Sequence, residues 1–474
     1  MTKTKLKKLF IILFVVLTLL SVSFYFLAQK QLSYKKSPGN IEMPEPEVAS
    51  DKIEGYRHII QLFSSDVYSI EQISIMFTKY YSENKANIVV ELSHDNNLLM
   101  RKKISTMEIT DQRVIDIVLE NPIMDVKDKR LKLDIFEENN KDSGVAVMMN
   151  TTSPVDGWKL RMGGRFIDGK LCFSVTGLDQ SLADDYYWYF MIGFGIVLGA
   201  YLLKSYKDFC MDRRNYFVAA ILAIYNYKFL ISQLVIRDFK SKYKRSILGV
   251  FWSFLNPLLT MTVQFLVFST FFKADTQNYP IYLLSGVVCF SFFSECTTMC
   301  LSSISSNARL ITKVYIPKYI FPLSRTISSS INLGISLVPL FLACLILGVI
   351  LKPQALLFFF FLACLIVFSL GIGLFLSALM VYFRDIQFLW TVIIQVWMYA
   401  TPIFYPAEIV PNKYRFILRI NPLYHFIGNA RTCLINGVSP EPKAYLFCLG
   451  FALISLLIGS YTFKKTQDNF ALYL

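Results

Sequence analysis

"IRDFKSKYKRSILGVFWSFLNPLL", residues 236–259, sets five basic side chains in ten positions and then turns into an apolar run interrupted by Asn256-Pro257. Lys and Arg are retained on the cytoplasmic side of a bilayer, so cations joined directly to a span-length apolar run mark a chain entering the membrane from that side. As a helix, the stretch puts Arg237, Lys240 and Lys244 on one side and Ile231, Leu234, Val235, Phe239 and Tyr243 on the other. Lys242 and Arg245 fall nearer the apolar side, so the amphipathicity is imperfect. The residues alone read as a surface anchor held by anionic lipid; a docking helix for a cytoplasmic partner stays open beside it. Pro257 removes a backbone donor and is expected to loosen the span that follows.

Working outward, 474 residues of which 54% are hydrophobic, with mean hydropathy +0.45, describe an integral membrane protein with something attached. Residues 30–185 carry 20 Lys and Arg against 25 Asp and Glu, and the remainder 28 against 9, which together give the net +14. The cations lie beside apolar runs, where lipid headgroups explain them better than nucleic acid does. Of nine cysteines only Cys172 lies in the acidic segment, so that segment closes no disulfide on itself. Cys296 and Cys300 share a helix face inside an apolar run and read as small packing residues. His58, His94 and His425 are scattered, no HExxH or CxxC is present, and no metal site is expected.

Four lysines, Lys3, Lys5, Lys7 and Lys8, precede an apolar run of about 20 residues. Residues 1–29 are therefore expected to be an uncleaved signal anchor with a cytoplasmic N-terminus. Between 54 and 178 the period changes to two. Ile88, Val90 and Leu92, then Leu131, Leu133 and Ile135, then Leu171, Phe173 and Val175 line one face, with turn signals such as "HDNN" and "VDG" between runs. An exported antiparallel β-sandwich is expected over 30–185. Within it, "GRFIDGKL" has Walker A spacing but Leu171 where magnesium needs Ser or Thr, so it reads as a hairpin with Asp168-Gly169 at its tip.

A second span at 186–204 carries Tyr186, Tyr187, Trp188 and Tyr189 at its outer end and Lys204, Lys207, Arg213 and Arg214 beyond its inner end. A cytoplasmic amphipathic segment, 205–247, leads into six further apolar stretches over 248–474: 248–272, 281–303, 321–351, 355–383, 388–404 and 444–463. The fold expected is thus a polytopic α-helical membrane protein of about eight spans with an inserted extracytoplasmic β-sandwich, both termini cytoplasmic. One segment conflicts: 405–443 holds Lys413, Arg415, Arg419, Arg431 and Lys443 against Glu408 and Glu441, yet topology places it outside. Its apolar content favours short helices at the outer interface.

The segment "LVIRDFKSKYKRSILGVFWSFLNPLLTMTVQFLVFSTFF" resembles the opening of the membrane subunits of type-2 ABC exporters of O-antigen, capsule and teichoic acid. "NARLITKVYIPKYIFPLSRTISSSIN", "MVYFRDIQ" and "WMYATPIFYPAEIVPNKYRFILRINPLYHFIGNAR" continue it in that family's order across residues 230–474. Residues 1–210 lie outside the resemblance. The resemblance implies a six-span permease domain in the bacterial cytoplasmic membrane, a homodimer, and two copies of a separate ABC ATP-binding subunit that holds the ATP and magnesium; this chain would carry no cofactor and perform no catalysis. It further implies that Arg237, Lys240 and Lys244 belong to an interface helix, and that Asn307, Leu310 and Lys313 belong to the main coupling helix. Arg384 and Asp385 would form a second contact, with Pro406, Arg415, Arg419, Asn421 and Pro422 on re-entrant outer helices. Basic residues on such helices would meet lipid phosphate or an anionic glycan.

A sliding sugar chain needs flat apolar surfaces with few fixed hydrogen bonds, which Trp252, Trp390, Trp397, Tyr399, Phe404 and Tyr405 supply; lipid-facing packing is the plainer account of each. Glu295 is an outlier in an uncharged span and needs a partner or water. Trp158, Tyr56 and Tyr80 are the sandwich's candidate sugar stackers. The function expected is the membrane subunit of an ATP-driven exporter of a lipid-linked polysaccharide. An exporter of drugs or lipids is the nearest alternative; a membrane-embedded glycosyl- or acyltransferase would need a carboxylate cluster or a histidine base that the sequence does not assemble, and a sensor would not need six extra spans.

Overall fold

A computed structural model describes residues 3–473 except 38–40, 42, 54–56, 80–85, 96, 108, 110, 112, 139–142, 153–157, 212, 214, 244–248, 250, 272–277 and 315. Lys244, Tyr56 and Tyr80 therefore lie outside the described residues. The chain divides into two compact units, one of residues 1–31 with 187–474 and one of 32–186.

The second unit is built of β1 (Tyr34–Ser37), β2 (Val48–Ala49), β3 (Ile59–Ser64), β4 (Ser69–Lys79), β5 (Asn87–His94), β6 (Asn97–Ser105), β7 (Arg113–Met124), β8 (Arg130–Glu137), β9 (Val145–Asn150), β10 (Lys159–Met162), β11 (Arg165–Ile167), β12 (Lys170–Leu171) and β13 (Phe173–Gln180). One sheet runs β1-β13-β4-β9-β12, with β2 on β9 and β7 on β4; the other runs β11-β10-β3-β8-β5-β6. Ladder neighbours are antiparallel. The alternating residues meet as expected: Ile88, Val90, Leu92, Leu131, Leu133, Ile135, Leu171, Phe173 and Val175 are fully buried in one core shared by both sheets. Registers such as Ile135 opposite Ile59 and Val90 follow, since a one-residue slip would turn each apolar set to solvent.

Two expectations need correction here. Asp168-Gly169 is not a hairpin tip. β11 pairs with β10, turning at Gly163-Gly164 where both φ values are positive, whereas β12 pairs with β9, so Asp168-Gly169 carries the chain from one sheet to the other. Trp158 packs on Phe63 and Phe173, with ring centroids 5.9 and 5.8 Å apart, and so fills the edge of the core rather than offering a face to sugar. Cys172 is buried and its thiol pushed up to about 11 by desolvation. It is expected to resist maleimide at pH 8 in the folded chain and to label fully in denaturant; rapid native labelling, read by peptide mass spectrometry, would contradict this packing.

In the first unit, α1 (Lys3–Ser33) and α2 (Leu182–Cys210) run antiparallel over the residues that belong to this unit: Leu6 and Phe10 cluster with Leu202, and the Tyr187 hydroxyl donates to the Ser21 carbonyl at 2.7 Å. α3 (Tyr216–Asn226) and α4 (Lys228–Tyr243) precede α5 (Phe251–Phe271), which continues through Pro257. Then come α6 (Tyr279–Leu301), a 3-10 turn leading into α7 (Ala308–Ile311), α8 (Ile320–Ile346), α9 (Phe358–Tyr382), α10 (Ile386–Ala400), α11 (Arg415–Ile420), α12 (Pro422–Arg431), α13 (Pro442–Thr466) and α14 (Phe470–Tyr473). Among the described residues six helices are long and apolar enough to cross a membrane, those of α1, α2, α6, α8, α9 and α13; the apolar helices 254–268 and 386–400 are shorter. At 1.5 Å per residue, the 15 residues of α10 rise about 22 Å, short of a hydrocarbon core of about 30 Å. α9 and α13 approach backbone to backbone: a Cβ on Gly459 would sit 2.0 Å from the Gly371 carbonyl oxygen. Small residues permit that approach where lipid supplies no hydrophobic force between helices.

Candidate functional site

Two polar centres stand at opposite ends of the first unit. At one end an apolar cluster joins Ile231, Leu234 and Val235 of α4 to Ile304, Ile316, Ile320 and Phe321, to Ala378 and Val381 at the end of α9, and to Phe463 and Phe470. The buried stripe of α4 is thus the one its periodicity marks, with one addition: Asp238 is buried in it.

Asp238 organises this end. Its Oδ1 accepts from Arg325 Nη1 of α8 at 2.8 Å and from Arg237 Nη2 at 3.1 Å, while Arg237 Nη1 donates to Asn307 Oδ1 at 3.0 Å. Asn307 donates in turn to the Ser303 carbonyl at 2.8 Å, and Arg325 Nη2 to Ser306 Oγ at 3.3 Å. Lys242 extends the tie to α6, its ammonium 2.9 Å from Glu295, to which Asn332 Nδ2 donates at 2.7 Å. Glu295 therefore has the partners an intramembrane carboxylate requires, and Lys242 leans toward the apolar side because that carboxylate lies there.

The structure separates the expected coupling residues into two kinds. Lys240, Lys313, Arg384 and Asp385 are exposed, the last two on the turn between α9 and α10. Asn307 is buried, Leu310 is half-buried in the apolar cluster, and Arg237 is half-exposed with its guanidinium turned to Asp238 and Asn307. Asn307, Leu310 and Arg237 hold the surface rather than form it. Sequence reasoning missed Asp238 and Arg325. A lone carboxylate among five cations was the available signal for the first; Arg325, inside an apolar helix, was the signal for the second.

At the other end the chain leaves α10 at Ala400 and runs without helix through residues 401–406. Backbone that ends a helix beside a membrane must find partners inside the protein, and side chains supply them. Arg431, 6% exposed, donates Nη1 to the Pro402 carbonyl at 2.7 Å and Nη2 to the Tyr282 and Ile403 carbonyls at 2.9 and 3.1 Å, with its guanidinium 3.5 Å from the Tyr282 ring centre. Tyr279 donates to the Phe404 carbonyl at 2.6 Å, and Tyr282 to those of Pro402 and Tyr405 at 3.1 and 2.9 Å. Asn421 caps α12 through Leu423 N, accepts from Trp397 Nε1 at 2.8 Å and donates to Thr401 Oγ1 at 2.9 Å. Pro422 takes the first helical position, where its missing N–H costs nothing.

The charge conflict of 405–443 is resolved differently from the expectation for Arg431, which meets backbone rather than lipid or glycan. Arg415 and Arg419 are exposed, and Pro406 is partly buried. Among the aromatic candidates for a sugar path, Trp390 and Phe404 are buried, with Trp390 Nε1 donating to Thr297 at 3.2 Å, and Trp397 packs on Phe293 and Trp390. These three brace the subunit interior. Trp252 and Tyr399 are exposed, and Tyr405 is half-buried with its hydroxyl on the Tyr399 carbonyl.

Residues 230–435 match the family model for the ABC-2 type transporter. The chain is similar to the O-antigen export system permease protein RfbA of Klebsiella pneumoniae, 29% identical over 52% of this chain and 96% of that protein. It is also similar to the protein of the same name from Myxococcus xanthus, at 26% over 54% and 98%. The polysialic acid transport protein KpsM of Escherichia coli is 22% identical over 51% and 95%. Relatives of near-complete length thus cover about half of this chain, and the family match lies wholly outside residues 32–186.

Proposed function

We propose, from the premise that this chain belongs to the ABC-2 type transporters through residues 230–435, that it is the membrane subunit of an ATP-driven exporter of a lipid-linked polysaccharide such as O-antigen, capsule or a teichoic-acid-like polymer. Two copies pair with two ABC ATP-binding subunits, which hold the ATP and magnesium. The chain sits in the bacterial cytoplasmic membrane with both termini inside and residues 30–185 outside. The buried network of Arg237, Asp238, Asn307 and Arg325 carries this reading, because it joins an exposed cationic rim to a spanning helix. A load on Lys313 reaches α8 through the adjoining Asn307 and its links to Arg237, Asp238 and Arg325, groups already locked together, so little of it is lost in side-chain rearrangement.

Homodimer formation uses the exposed apolar stripe of α10, with Phe388, Leu389, Val392, Ile393 and Val396 at helical spacing, together with Leu259, Val263 and Leu266 of α5. Trp252 and Tyr399, on these same helices, are the groups left for the polymer to slide along.

The test is capture of an ABC ATP-binding subunit co-expressed with this chain. Lys313→Glu or Asp385→Lys is expected to reduce co-purification and export at least about tenfold, since reversing one charge of an interface pair costs on the order of 2 kcal/mol or more. Capture and export at the level of the unaltered chain would refute the coupling assignment.

A further inference from the structure

The β-unit as a whole is acidic, yet "KLRMGGR", residues 159–165, holds three cations and no acid. The fold sets two of them beside one aromatic ring and the third at the turn. Lys159 and Arg161 face outward from β10, and the exposed ring of Phe166 lies opposite Arg161 on the edge strand β11, 5.8 Å from the Lys159 ammonium and 5.9 Å from the Arg161 guanidinium. Around the Gly163-Gly164 turn the same hairpin walls a cavity of about 290 Å³ with Arg165, completed by Lys52, Arg57 and His58, with Asp51, 3.8 Å from Arg57, as the carboxylate among its described lining residues. The Gly163 N–H donates to the His58 carbonyl at 3.3 Å, and Met162 pairs with Ile59, so the cavity and the aromatic platform are fixed on one hairpin.

Several other cations of the same sheet are paired with carboxylates. Arg101 pairs with Glu91 at 3.3 Å, Lys103 with Glu138, and Lys132 with Asp134 at 2.8 Å, while His58 Nδ1 lies 2.8 Å from Asp134. Lys159, Arg161 and Arg165 have no carboxylate partner among the described residues. With Phe166 67% exposed between two such cations, the platform is open to a ligand from solvent. It has the composition of a site for a sugar ring that bears an acid: the ring face stacks on Phe166 and the charge goes to guanidinium and ammonium.

We propose that the β10–β11 hairpin is a docking site for an acidic glycan, a polymer whose sugars or linkages carry carboxylate or phosphodiester groups. One acid sits between Lys159 and Arg161, and the next along the chain sits in the cavity at Arg165 and Arg57. This deepens the export reading and rests on it for the identity of the polymer, but the binding stands or falls separately. Deep burial is unnecessary at such a site, because a polymer in transit has to be held and released.

The full-length chain in neutral phosphatidylcholine nanodiscs is titrated with fluorescent oligogalacturonate, with a glycerol-phosphate oligomer and with maltoheptaose. The acidic oligomers are expected to bind at least tenfold more tightly than maltoheptaose, with affinity falling as salt rises, and the arm that binds better assigns carboxylate or phosphodiester. Arg161→Gln with Arg165→Gln, and separately Phe166→Ala, are expected to weaken acidic binding at least tenfold; because all three side chains are exposed, native protection of Cys172 verifies folding. Equal binding of neutral and acidic oligomers, or unchanged binding by the variants, overturns the proposal. So does capture of phosphatidylglycerol vesicles through this hairpin without oligomer binding, which would make it a membrane contact. A chain that exports polymer while failing these titrations loses this inference alone; one that passes them yet exports nothing retains it and loses the export reading.

Discussion

Replacing Arg431 with methionine is expected to lower the melting temperature of the detergent-solubilised chain by roughly 10 °C or to prevent its accumulation, because buried acceptors left without donors cost about 1–3 kcal/mol each. The carbonyls of Tyr282, Pro402 and Ile403 each lose a donor at once; Tyr282 keeps its place in α6 and Pro402 keeps the Tyr282 hydroxyl, whereas Ile403 lies in the 401–406 stretch that has no helix to supply a replacement. Methionine matches the stem of arginine, so the change tests the guanidinium and not the packing. Arg431→Lys should fall between, since an ammonium cannot present a planar fork to carbonyls on two sides. Fluorescence-detected size exclusion after a temperature series reads the outcome. A shift of less than about 2 °C for Arg431→Met would mean that the backbone of residues 401–406 is held by Tyr279, Tyr282 and Asn421 without the guanidinium.

The β-unit was legible because its code is local. Alternation at period two assigned Leu131, Leu133 and Ile135 to one face without reference to any other part of the chain, and the sheet on which they sit obeys it. Its turns were less legible. "IDGK" has the chemistry of a hairpin tip, but Gly163-Gly164 lies nearer the register that pairs Leu160 with Ile167, and pairing across strands decides which of two adequate turns closes a hairpin. In the membrane unit, length and hydropathy identified the long helices, while the 15-residue α10 reads as a span only when the apolar residues beyond Ala400 are counted with it.

The polar centres show the limit more sharply. Arg431 looked like one of several loop cations because sequence distance hides its acceptors, which lie 28 to 149 residues away. Glu295 was recognised as anomalous, and Lys242 was recognised as misplaced on its helix, yet only the fold shows that each explains the other. An out-of-place charge in an apolar helix signals that a partner exists and does not name it. The aromatic residues carry the converse lesson: Trp390, Trp397 and Phe404 have the composition of a sugar path and the geometry of internal braces, since composition does not state which side of a short helix faces inward.

Asp238 and Arg325 allow structural support to be separated from transmission. Asp238→Ala should destabilise the chain by about 3–5 kcal/mol, because it strands the Arg325 guanidinium, 15% exposed, without its anion. Arg325→Leu alone should cost less, since Asp238 keeps the half-exposed Arg237. The combination Asp238→Leu with Arg325→Leu removes both charges and refills the site with apolar volume, so its cost should fall short of the sum by about 2 kcal/mol, a coupling that a double-mutant cycle on thermal unfolding measures. Transport is expected to part from stability here. The double variant should fold but export polymer at a small fraction of the normal rate, because α4 and α8 are then packed together without the hydrogen-bonded link through which, on the proposed coupling, the 305–311 turn pulls. Full export by a stably folded double variant would reduce Arg237, Asp238, Asn307 and Arg325 to scaffolding and move the transmission path to the apolar cluster around Ile316 and Phe321.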